Sequence, residues 1–400
     1  MQEDPIVITG YGILSALGND HTATLSALTR GVSGIADIRH LATSHTEFPV
    51  GEVKMSNEEM EHLLSLPDNS VTTRTALMGM IALDRAVDMA RLDHSAGTQN
   101  GIAFISGTTV GGMDRSEQHY LDFLSGDDFK QYISTHDCGA CSEMIASRHD
   151  IFNFVATPST ACSSAANAII LGARMLLSEQ SDVVVAGGSE CITKFHLNGF
   201  NTLMILDREQ CRPFDRDRAG LNLGEGAAYV VMERLSHAIK RGVTPIIELA
   251  GWGNACDAFH QTASSDDGEG AYLAMKQAVD QAGISPGDVG YINAHGTGTP
   301  NNDISETHAM QRLFGNNVPP VSSTKSSTGH TTSASGAIES VITIMAVTND
   351  FLPANVGFNT PIEGGISPVE TPLMNKRVNY ALCNSFGFGG NDSSLLFKRL

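Results

Sequence analysis

The sequence predicts an α/β protein built from two copies of one unit, with two central sheets and a shared seam. In the first half, residues 1–244, apolar runs end in glycine loops at three places, as buried strands of α/β proteins do. The same pattern returns in the same order in the second half, residues 245–400, which indicates an internal duplication. The six runs are 6–18, 101–112, 181–190, 245–253, 289–299 and 383–390. No low-complexity linker separates the halves, so we expect them to pack as one body.

The remaining elements follow from hydrophobic spacing along the chain. The segment 57–93 has the periodicity of helices, and so do 271–282 and 337–347. The polar stretch 114–150 predicts an excursion that carries short helices. The glycines of 6–18 resemble a dinucleotide-binding fingerprint, but no third glycine falls at the required offset.

Composition limits the classes of partner and location. The chain has 400 residues, 41% of them hydrophobic and 17% charged, which is typical of a folded protein. The net charge of -19 disfavours nucleic acids and anionic membranes as partners. No apolar run is long enough to cross a bilayer, and the acidic N-terminal segment lacks signal-peptide features. We therefore expect a cytoplasmic protein without membrane insertion.

The seven cysteines are scattered, which argues against a disulfide framework. Cys138 and Cys141, with His136 just before them, have the spacing of half a metal site or of a redox pair. No second pair at matching spacing exists, so a helix start or a loop is the favoured interpretation.

One cysteine lies where a strand is expected to turn into a helix. Residues 151–156 predict a short buried strand, Pro158 ends it, and helical spacing begins at Ala168. Cys162 lies between them, where free N–H groups and the helix dipole favour a thiolate, the more nucleophilic form. The alternative interpretation is a small buried hydrophobic residue.

Three further stretches carry polar groups among small residues. His295 follows an apolar run, Lys325 and His330 lie in the polar segment 321–332, and residues 386–390 form a glycine-hinged loop with two rings. Each has a structural explanation when taken alone: a core histidine, a solvated charge, or packing rings. Together, a thiol, two histidines and a loop rich in N–H groups are what thioester exchange followed by carbanion chemistry requires.

These motifs together resemble the β-ketoacyl-acyl carrier protein synthases of the elongating, Cys-His-His type. The matching segments are Thr-Ala-Cys-Ser-Ser around Cys162, residues 213–220, His295-Gly-Thr-Gly-Thr-Pro, Lys325 with Gly329-His330, and residues 384–390. The resemblance implies a thiolase fold, which is a duplicated five-layer α-β-α-β-α sandwich, and a dimer without a metal or organic cofactor. It also implies decarboxylative Claisen condensation of malonyl-acyl carrier protein with an enzyme-bound acyl thioester, which elongates a fatty acyl or polyene chain.

The resemblance assigns the catalytic roles residue by residue. Cys162 is the nucleophile that takes the acyl chain from the phosphopantetheine of the carrier. His295 and His330 donate hydrogen bonds to the malonyl thioester oxygen as CO2 leaves, and for this they must be neutral. Lys325 orders the site, and two acidic residues support it: Glu339, which pairs with Lys325, and Asp303.

The resemblance also assigns the parts of the site that bind and admit the acyl chain. The N–H groups of Cys162 and Phe388 form the oxyanion hole. The gate comprises Phe386, Gly387, Phe388, Gly389 and Gly390. Val110 limits the depth of the acyl pocket. Carrier docking is predicted for Arg74, Lys130 and Arg208, in a region poorer in basic residues than housekeeping relatives have.

Two features leave the pathway open. Where the family usually has Gly-Ala-Ala-Gly, this chain has residues 333–336 as Ser-Ala-Ser-Gly. Residues 222–226 resemble the ketosynthases of aryl polyene and other pigment pathways, which pair with a non-catalytic chain-length partner. The dimer is therefore predicted either as a homodimer or as a heterodimer with such a subunit.

Three other functions compete with this interpretation. A non-catalytic chain-length partner would have lost the nucleophile or a histidine. A thiolase would need a second reactive cysteine late in the chain, which Cys383 in its Cys-Asn-Ser setting does not supply. A cysteine hydrolase would leave one histidine and Lys325 without a role. The retained Cys162, His295 and His330 favour the condensing enzyme.

Overall fold

The computed structural model describes residues 4–94, 96, 99–126 and 129–400. Within these residues, long buried strands alternate with helices, as the sequence predicts. The strands are β1 (Ile6–Ser15), β2 (Ile102–Gly107), β3 (Phe154–Ala156), β4 (Val183–Glu190), β5 (Gly226–Arg234), β6 (Ile247–Cys256), β7 (Val289–Asn293), β8 (Val321–Ser322), β9 (Phe351–Leu352), β10 (Leu373–Met374), β11 (Tyr380–Gly387) and β12 (Asn391–Lys398).

The order of the strands repeats in the two halves of the chain. The large sheet has ten strands in the order β3-β2-β4-β5-β1-β6-β12-β11-β7-β8. In each half, the first and last strands are antiparallel neighbours (β1 with β5, β6 with β12). Likewise, β2 and β4 are parallel, as are β7 and β11. This repeated topology agrees with the predicted duplication, while the division at residue 244 stays a prediction.

The two predicted sheets meet along a shared seam and form one continuous sheet. Strand β1 pairs with β6 through Val7 with Glu248 and Ile8 with Ile247. Because these strands head the two halves, the hydrogen bonds of one half continue into the other. This pairing could not be predicted, since neither strand carries a sequence signal for its neighbour.

The helices are interleaved with these strands in chain order. They are α1 (His21–Thr29), α2 (Asn57–Leu63), α3 (Arg74–Ala90), α4 (Met113–Gln118), α5 (Tyr120–Ser125), α6 (Cys138–Ala146), α7 (Ser164–Leu177), α8 (Lys194–Thr202), α9 (Leu235–Arg241), α10 (Glu269–Gln281), α11 (Pro300–Phe314), α12 (Lys325–Thr328) and α13 (Ser335–Thr348). Short 3₁₀ helices cover Lys130–Thr135, Pro286–Asp288 and Thr332–Ala334.

Two of these helices form the middle layer of the molecule. One continuous core joins residues of α7 and α13 to strands of both halves. Helices α3 and α6 pack against the outer face of the first half, and α10 and α11 against that of the second. Gly336 permits the close packing of α13 on α7, because a Cβ there would lie 2.6 Å from the nitrogen of Ala166. These layers match the predicted five-layer sandwich.

Strand β3 ends the sheet and is not the buried strand that the sequence predicts. Among the described residues it pairs with β2 alone, and the side chain of Phe154 is 44% exposed. The excursion that precedes it exposes further large apolar side chains, namely Tyr120, Leu121, Leu124, Phe129 and Ile133. An edge strand beside exposed apolar residues is a surface that another chain can cover.

The predicted helical segment 57–93 is interrupted between α2 and α3. Cys138 begins α6, with the side chain of Asp137 accepting hydrogen bonds from the N–H groups of Gly139 and Ala140, so the helix-start interpretation holds. Among the described residues, none of the helices has the length and apolarity needed to span a membrane.

Candidate active site

A tight turn presents the cysteine thiol at the start of the middle layer. Strand β3 ends six residues before Cys162, and α7 begins two residues after it, at Ser164. Ala161 has a φ of +52°, a left-handed conformation that costs free energy for a residue with a side chain. The hydroxyl of Ser164 holds the turn, since it accepts from the N–H of Thr160 at 2.9 Å and donates to the carbonyl of Ala161 at 2.6 Å.

Both predicted histidines meet the thiol in one cavity. The Sγ of Cys162 lies 3.2 Å from Nε2 of His330. The rings of His330 and His295 are perpendicular, with centroids 5.4 Å apart. All three side chains line a cavity of about 270 Å³, whose rim includes the exposed Met204. The side chains predicted to act together are therefore within reach of one substrate.

Glu306 holds the backbone that carries His295, and the sequence analysis missed it. His295 follows the end of β7, and the two carboxylate oxygens of Glu306 accept from the N–H groups of His295 and Gly296 at 2.8 and 2.7 Å. The side chain of Asn384 donates to the same carboxylate at 3.1 Å. In the sequence, Glu306 stands out only as an acidic residue among the buried positions of α11.

Asp303 supports the same loop from a greater distance. Its carboxylate accepts from the backbone N–H groups of Phe214 at 2.7 Å and Gly298 at 3.2 Å. It thus ties the segment 213–220 to the loop after His295. Asp303 is not among the residues that line the cavity, so any role it has is indirect.

Lys325 brings a buried positive charge close to the histidines. Its ammonium forms an ion pair with Glu339 of α13 at 2.5 Å, and both side chains are almost fully buried. Burial raises the pKa of Glu339 to about 7, an effect that Lys325 opposes. The pairing anticipated from the sequence is present in the structure.

Both histidines are neutral at physiological pH. Burial lowers the pKa of His295 and that of His330 well below the ordinary 6.5, and the charge of Lys325 lowers both further. A neutral imidazole can donate a hydrogen bond from one nitrogen, and the predicted role requires this neutral state.

The sequence predicts a thiolate at Cys162, whereas the structure favours the protonated thiol. Burial raises the pKa of Cys162 to about 11, although the charge of Lys325 and a hydrogen bond from the backbone N–H of Phe388 act in the opposite direction. The expectation that the start of α7 yields a thiolate is therefore wrong for the free protein at neutral pH. Desolvation outweighs the local N–H groups and the nearby charge.

The glycine loop between β11 and β12 covers the thiol. Phe388 stacks on Phe200 of α8, with ring centroids 6.0 Å apart, and Phe386 lies 5.7 Å from the ring of His295. Gly389 and Gly390 have φ values of +85° and +79°, which favour glycine. Gly387 instead allows close approach, because a Cβ there would lie 2.9 Å from the carbonyl oxygen of Thr160.

An asparagine cluster ties this loop to the nucleophile turn. The side-chain oxygen of Asn391, the first residue of β12, accepts from Ser163 at 2.8 Å, Asn167 at 2.7 Å and Asn254 at 3.1 Å. Ser163 directly follows Cys162. The loop that covers the thiol and the turn that presents it therefore share an anchor, which sequence spacing did not indicate.

Val110 lies outside the cavity that holds the thiol. Its side chain is buried in the core of the first half, and its N–H donates to the carboxylate of Glu190 at 2.9 Å. Glu190 also accepts from Thr108, Thr109 and Ser333, so it connects the turn at Val110 to the segment after His330. The role of Val110 in chain length stays a prediction.

Arg74 is unsuited to carrier docking, contrary to the expectation. Its guanidinium is buried, and it pairs with Glu225 at 2.6 Å and donates to the carbonyl oxygens of Val53 and Met55. A charge held in this way is not available to a partner. Lys130 and Arg208 are exposed, and the guanidinium of Arg208 lies 5.8 Å from the ring centroid of Phe48.

Comparison with known proteins identifies the family. Residues 3–238 match the model described as Beta-ketoacyl synthase, N-terminal domain, and residues 246–359 match Beta-ketoacyl synthase, C-terminal domain. The 3-oxoacyl-[acyl-carrier-protein] synthase 2 of Vibrio cholerae is 34% identical over 421 residues, covering 100% of both chains. The protein of the same name from Coxiella burnetii is 32% identical over 418 residues, again covering 100% of both.

Solved structures agree in fold. A chain of the ishigamide ketosynthase/chain length factor has a TM-score of 0.93 and 26% identity, covering 99% of both chains. A chain of the ketosynthase ApeO in complex with its chain length factor ApeC, from Xenorhabdus doucetiae, has a TM-score of 0.85 and 29% identity, covering 99% of this chain and 98% of that one. The fold expected from the sequence is confirmed, and the full-length matches establish that this chain belongs to the β-ketoacyl synthase family.

Proposed function

We propose that this protein is a β-ketoacyl-acyl carrier protein synthase. It condenses malonyl-acyl carrier protein with an acyl group held on Cys162 and releases CO2. The observation that carries the proposal is the 3.2 Å contact between the sulfur of Cys162 and Nε2 of His330, with His295 beside them in one cavity. The names of the curated relatives, 3-oxoacyl-[acyl-carrier-protein] synthase 2, support the same reaction.

In the first half-reaction, the acyl chain moves from the carrier to the enzyme. The sulfur of Cys162 attacks the carbonyl carbon of the acyl thioester, and the carrier thiol leaves with the proton that the cysteine loses. The N–H groups of Cys162 and Phe388 stabilise the oxyanion. The pKa of Cys162 is raised to about 11, so the thiol is the predominant form in the free protein before the acyl-carrier binds.

In the second half-reaction, malonyl-acyl carrier protein occupies the same cavity. His295 and His330 donate hydrogen bonds to its thioester oxygen, so that the carbon–carboxylate bond breaks, CO2 leaves and an enolate remains. The enolate carbon attacks the acyl group on Cys162, and the sulfur leaves as a thiolate that takes a proton from water. Burial keeps both histidines neutral by lowering their pKa values, the charge of Lys325 adds to this effect, and Glu339 holds Lys325 in place.

The loop from Phe386 to Gly390 is the proposed gate. Phe388 lies over Cys162 and packs on Phe200, so the ring must move for a long acyl chain to reach the sulfur. Gly389 and Gly390 supply the backbone freedom for this movement.

The proposed partners are an acyl carrier protein, whose phosphopantetheine carries the acyl and malonyl groups, and a second chain. Arg208 and Lys130 remain the proposed contacts for the carrier. The dimer forms along β3, where Phe154 and the apolar residues of 120–133 are exposed. The relatives solved with chain length factors support a heterodimer. The polyene-type pathway rests on the resemblance of residues 222–226, and a homodimer in fatty acid synthesis is the alternative. The cytoplasmic location stays a prediction.

A direct assay tests the proposed reaction. The purified protein is incubated with acyl- and malonyl-carrier, alone and with a coexpressed chain-length-factor-like subunit where the source encodes one, and products are read by mass spectrometry. We expect a β-ketoacyl-carrier and an acyl adduct on Cys162. Cys162→Ala removes the adduct and leaves some malonyl decarboxylation. A Cys162→Ala protein that still elongates acyl-carrier would disprove the assignment of the nucleophile.

The non-catalytic partner role is the competing function. It requires that the thiol and the histidines serve no chemistry, whereas here they lie together in a cavity that also includes the covering loop. Absence of both the adduct and decarboxylation in the wild-type protein, alone and with its partner, would favour that role.

A further inference from the structure

The second ring nitrogen of His330 has a partner that nothing in the proposed mechanism uses. Nδ1 of His330 lies 2.9 Å from the hydroxyl oxygen of Ser335, the first residue of α13. The same hydroxyl lies 3.2 Å from that of Thr331, and both side chains are buried. Ser335 belongs to the segment 333–336 in which this chain departs from the usual motif of the family.

The hydrogen bonds that link Thr331, Ser335 and the His330 ring can run in either of two directions. In the first, Thr331 donates to Ser335, Ser335 donates to Nδ1 of His330, and Nε2 carries the ring hydrogen toward Cys162. In the second, Nδ1 donates to Ser335 and Ser335 to Thr331, which leaves the hydrogen of Thr331 without an acceptor. Among the described residues, Ser335 is the only hydrogen-bond partner of the Thr331 hydroxyl.

Buried polar hydrogens are almost always hydrogen-bonded, so the first direction is favoured. It gives the hydrogens of Thr331, Ser335 and the His330 ring an acceptor each and leaves only the thiol hydrogen of Cys162 unpaired. The second direction pairs the thiol hydrogen with Nε2 and leaves the Thr331 hydroxyl unpaired, which costs more because S–H is the weaker donor. The neutral state of His330 fits this arrangement, since a neutral ring has one nitrogen that accepts and one that donates.

We propose that Ser335 is a positioning residue that sets the tautomer of His330, by donating its hydroxyl hydrogen to Nδ1 so that Nε2 is the donor toward the substrate. The inference rests on the proposed function, because it is the malonyl thioester oxygen that this donor meets. Thr331 orients the Ser335 hydroxyl through the 3.2 Å contact.

His295 has no comparable residue to set its tautomer among those that the structure describes. Nδ1 of His295 is buried and has no hydrogen-bond partner among the residues that the structure describes. Its hydrogen can therefore lie on either ring nitrogen, whereas that of His330 is fixed. His330 is thus the histidine whose donor is set before substrate binds, and preorganised donors contribute most to stabilising an enolate.

Removing the Ser335 hydroxyl has a specific expected effect. In Ser335→Ala, the tautomer with hydrogen on Nδ1 is no longer disfavoured, and it turns the lone pair of Nε2 toward the enolate oxygen. We expect kcat for malonyl-carrier decarboxylation to fall on the order of tenfold or more. Thr331→Val should lower it less and in the same direction. Acylation of Cys162, which needs no donor from His330, should change little.

The control is Ser340→Ala in the same helix. Ser340 is a buried serine whose hydroxyl donates to the carbonyl of Gly336, and its removal leaves the contacts of His330 unchanged. Ser335→Thr, which keeps a hydroxyl, should restore most of the rate. Thermal unfolding of all four variants identifies any loss that reflects misfolding.

The direct readout is the ¹⁵N signal pair of the His330 ring in histidine-labelled protein, assigned with His330→Gln. We expect a protonated Nε2 in the wild type and in Ser340→Ala, and a mixed or reversed tautomer in Ser335→Ala. Unchanged ¹⁵N signals in Ser335→Ala would overturn the inference, whatever happens to the rate. If the wild type does not decarboxylate malonyl-carrier, the proposed function fails, and the ¹⁵N comparison still decides the role of Ser335.

Discussion

The sulfur of Cys162 lies 3.2 Å from Nε2 of His330, although 168 residues separate them in the chain. The contact joins the turn before α7 to the segment before α13, and these two helices pack on each other between the sheet halves. The geometry of the thiol and the imidazole therefore depends on the packing of the middle layer, where Gly336 meets Ala166.

The first prediction concerns the pH dependence of decarboxylation. The neutral histidines are the active form, because protonation as the pH falls makes both ring nitrogens donors, and Nδ1 of His330 can then no longer accept from Ser335. Because the pKa values of His295 and His330 lie well below 6.5, decarboxylation by Cys162→Ala/Glu339→Gln should stay constant from about pH 8 to about pH 6.5. The second substitution removes the carboxyl of Glu339, whose pKa of about 7 lies within this range. Release of CO2 measured across this range checks it. A half-maximal rate at pH 6.5 would mean that the rings titrate as in water.

The second prediction concerns the reactivity of the thiol. Since the pKa of Cys162 is raised to about 11, its alkylation by iodoacetamide should be slow at neutral pH and should still increase above about pH 9. Labelling at each pH, followed by peptide mass spectrometry, measures the rate, and the exposed Cys256 is an internal reference. Complete labelling of Cys162 at neutral pH, ahead of Cys256, would contradict the raised pKa.

The third prediction separates stability from catalysis at Lys325. Lys325→Met leaves Glu339 buried without its partner, so the free energy of unfolding should fall by about 3 kcal/mol. Combining it with Glu339→Gln should restore much of the stability but not the activity. The lost positive charge also raises the pKa values of both histidines, so decarboxylation should begin to fall at a higher pH than in Cys162→Ala. Denaturant unfolding and rate profiles of the single and double variants test these effects, and identical profiles would refute the electrostatic role.

The fourth prediction contrasts two arginines. Arg208→Glu should raise the KM for acyl-carrier without changing the labelling of Cys162, because Arg208 is exposed. Arg74→Met should instead lower the free energy of unfolding by about 3 kcal/mol, because Glu225 then stays buried and unpaired. Steady-state kinetics and chemical denaturation distinguish the two. Unchanged kinetics in Arg208→Glu would remove it from the docking surface.

The fifth prediction concerns the close approach at Gly387. In Gly387→Ala, the new Cβ would lie 2.9 Å from the carbonyl oxygen of Thr160 and would displace the nucleophile turn. The rate of Cys162 acylation should therefore fall at least tenfold. Gly287→Ala is the control, since its Cβ would meet nothing closer than 3.9 Å. Equal acylation rates in the two variants would show that the contact is unimportant.

Local patterns were sufficient for the main elements of the site. Cys162, His295 and His330 each follow the end of a predicted strand or lie among small polar residues, and their family motifs fix their order. Glu306 and Asn391 were missed because each acts through contacts with residues distant in sequence. The same holds for Arg74, whose partner Glu225 lies 151 positions away. The pKa of Cys162 also depends on burial, which a local helix-dipole argument does not include.

The asparagine cluster around Asn391 has a mechanical consequence. One end of the covering loop is fastened to the residue next to the nucleophile, while the freedom to bend is confined to the two glycines just before it. Moving the loop aside breaks the hydrogen bond from the Phe388 N–H to the sulfur, but the bond between Ser163 and Asn391 keeps the nucleophile turn in place. Acyl chains of different shape can thus be admitted by movement of the loop, and the donor group of Phe388 returns to the sulfur when the loop closes.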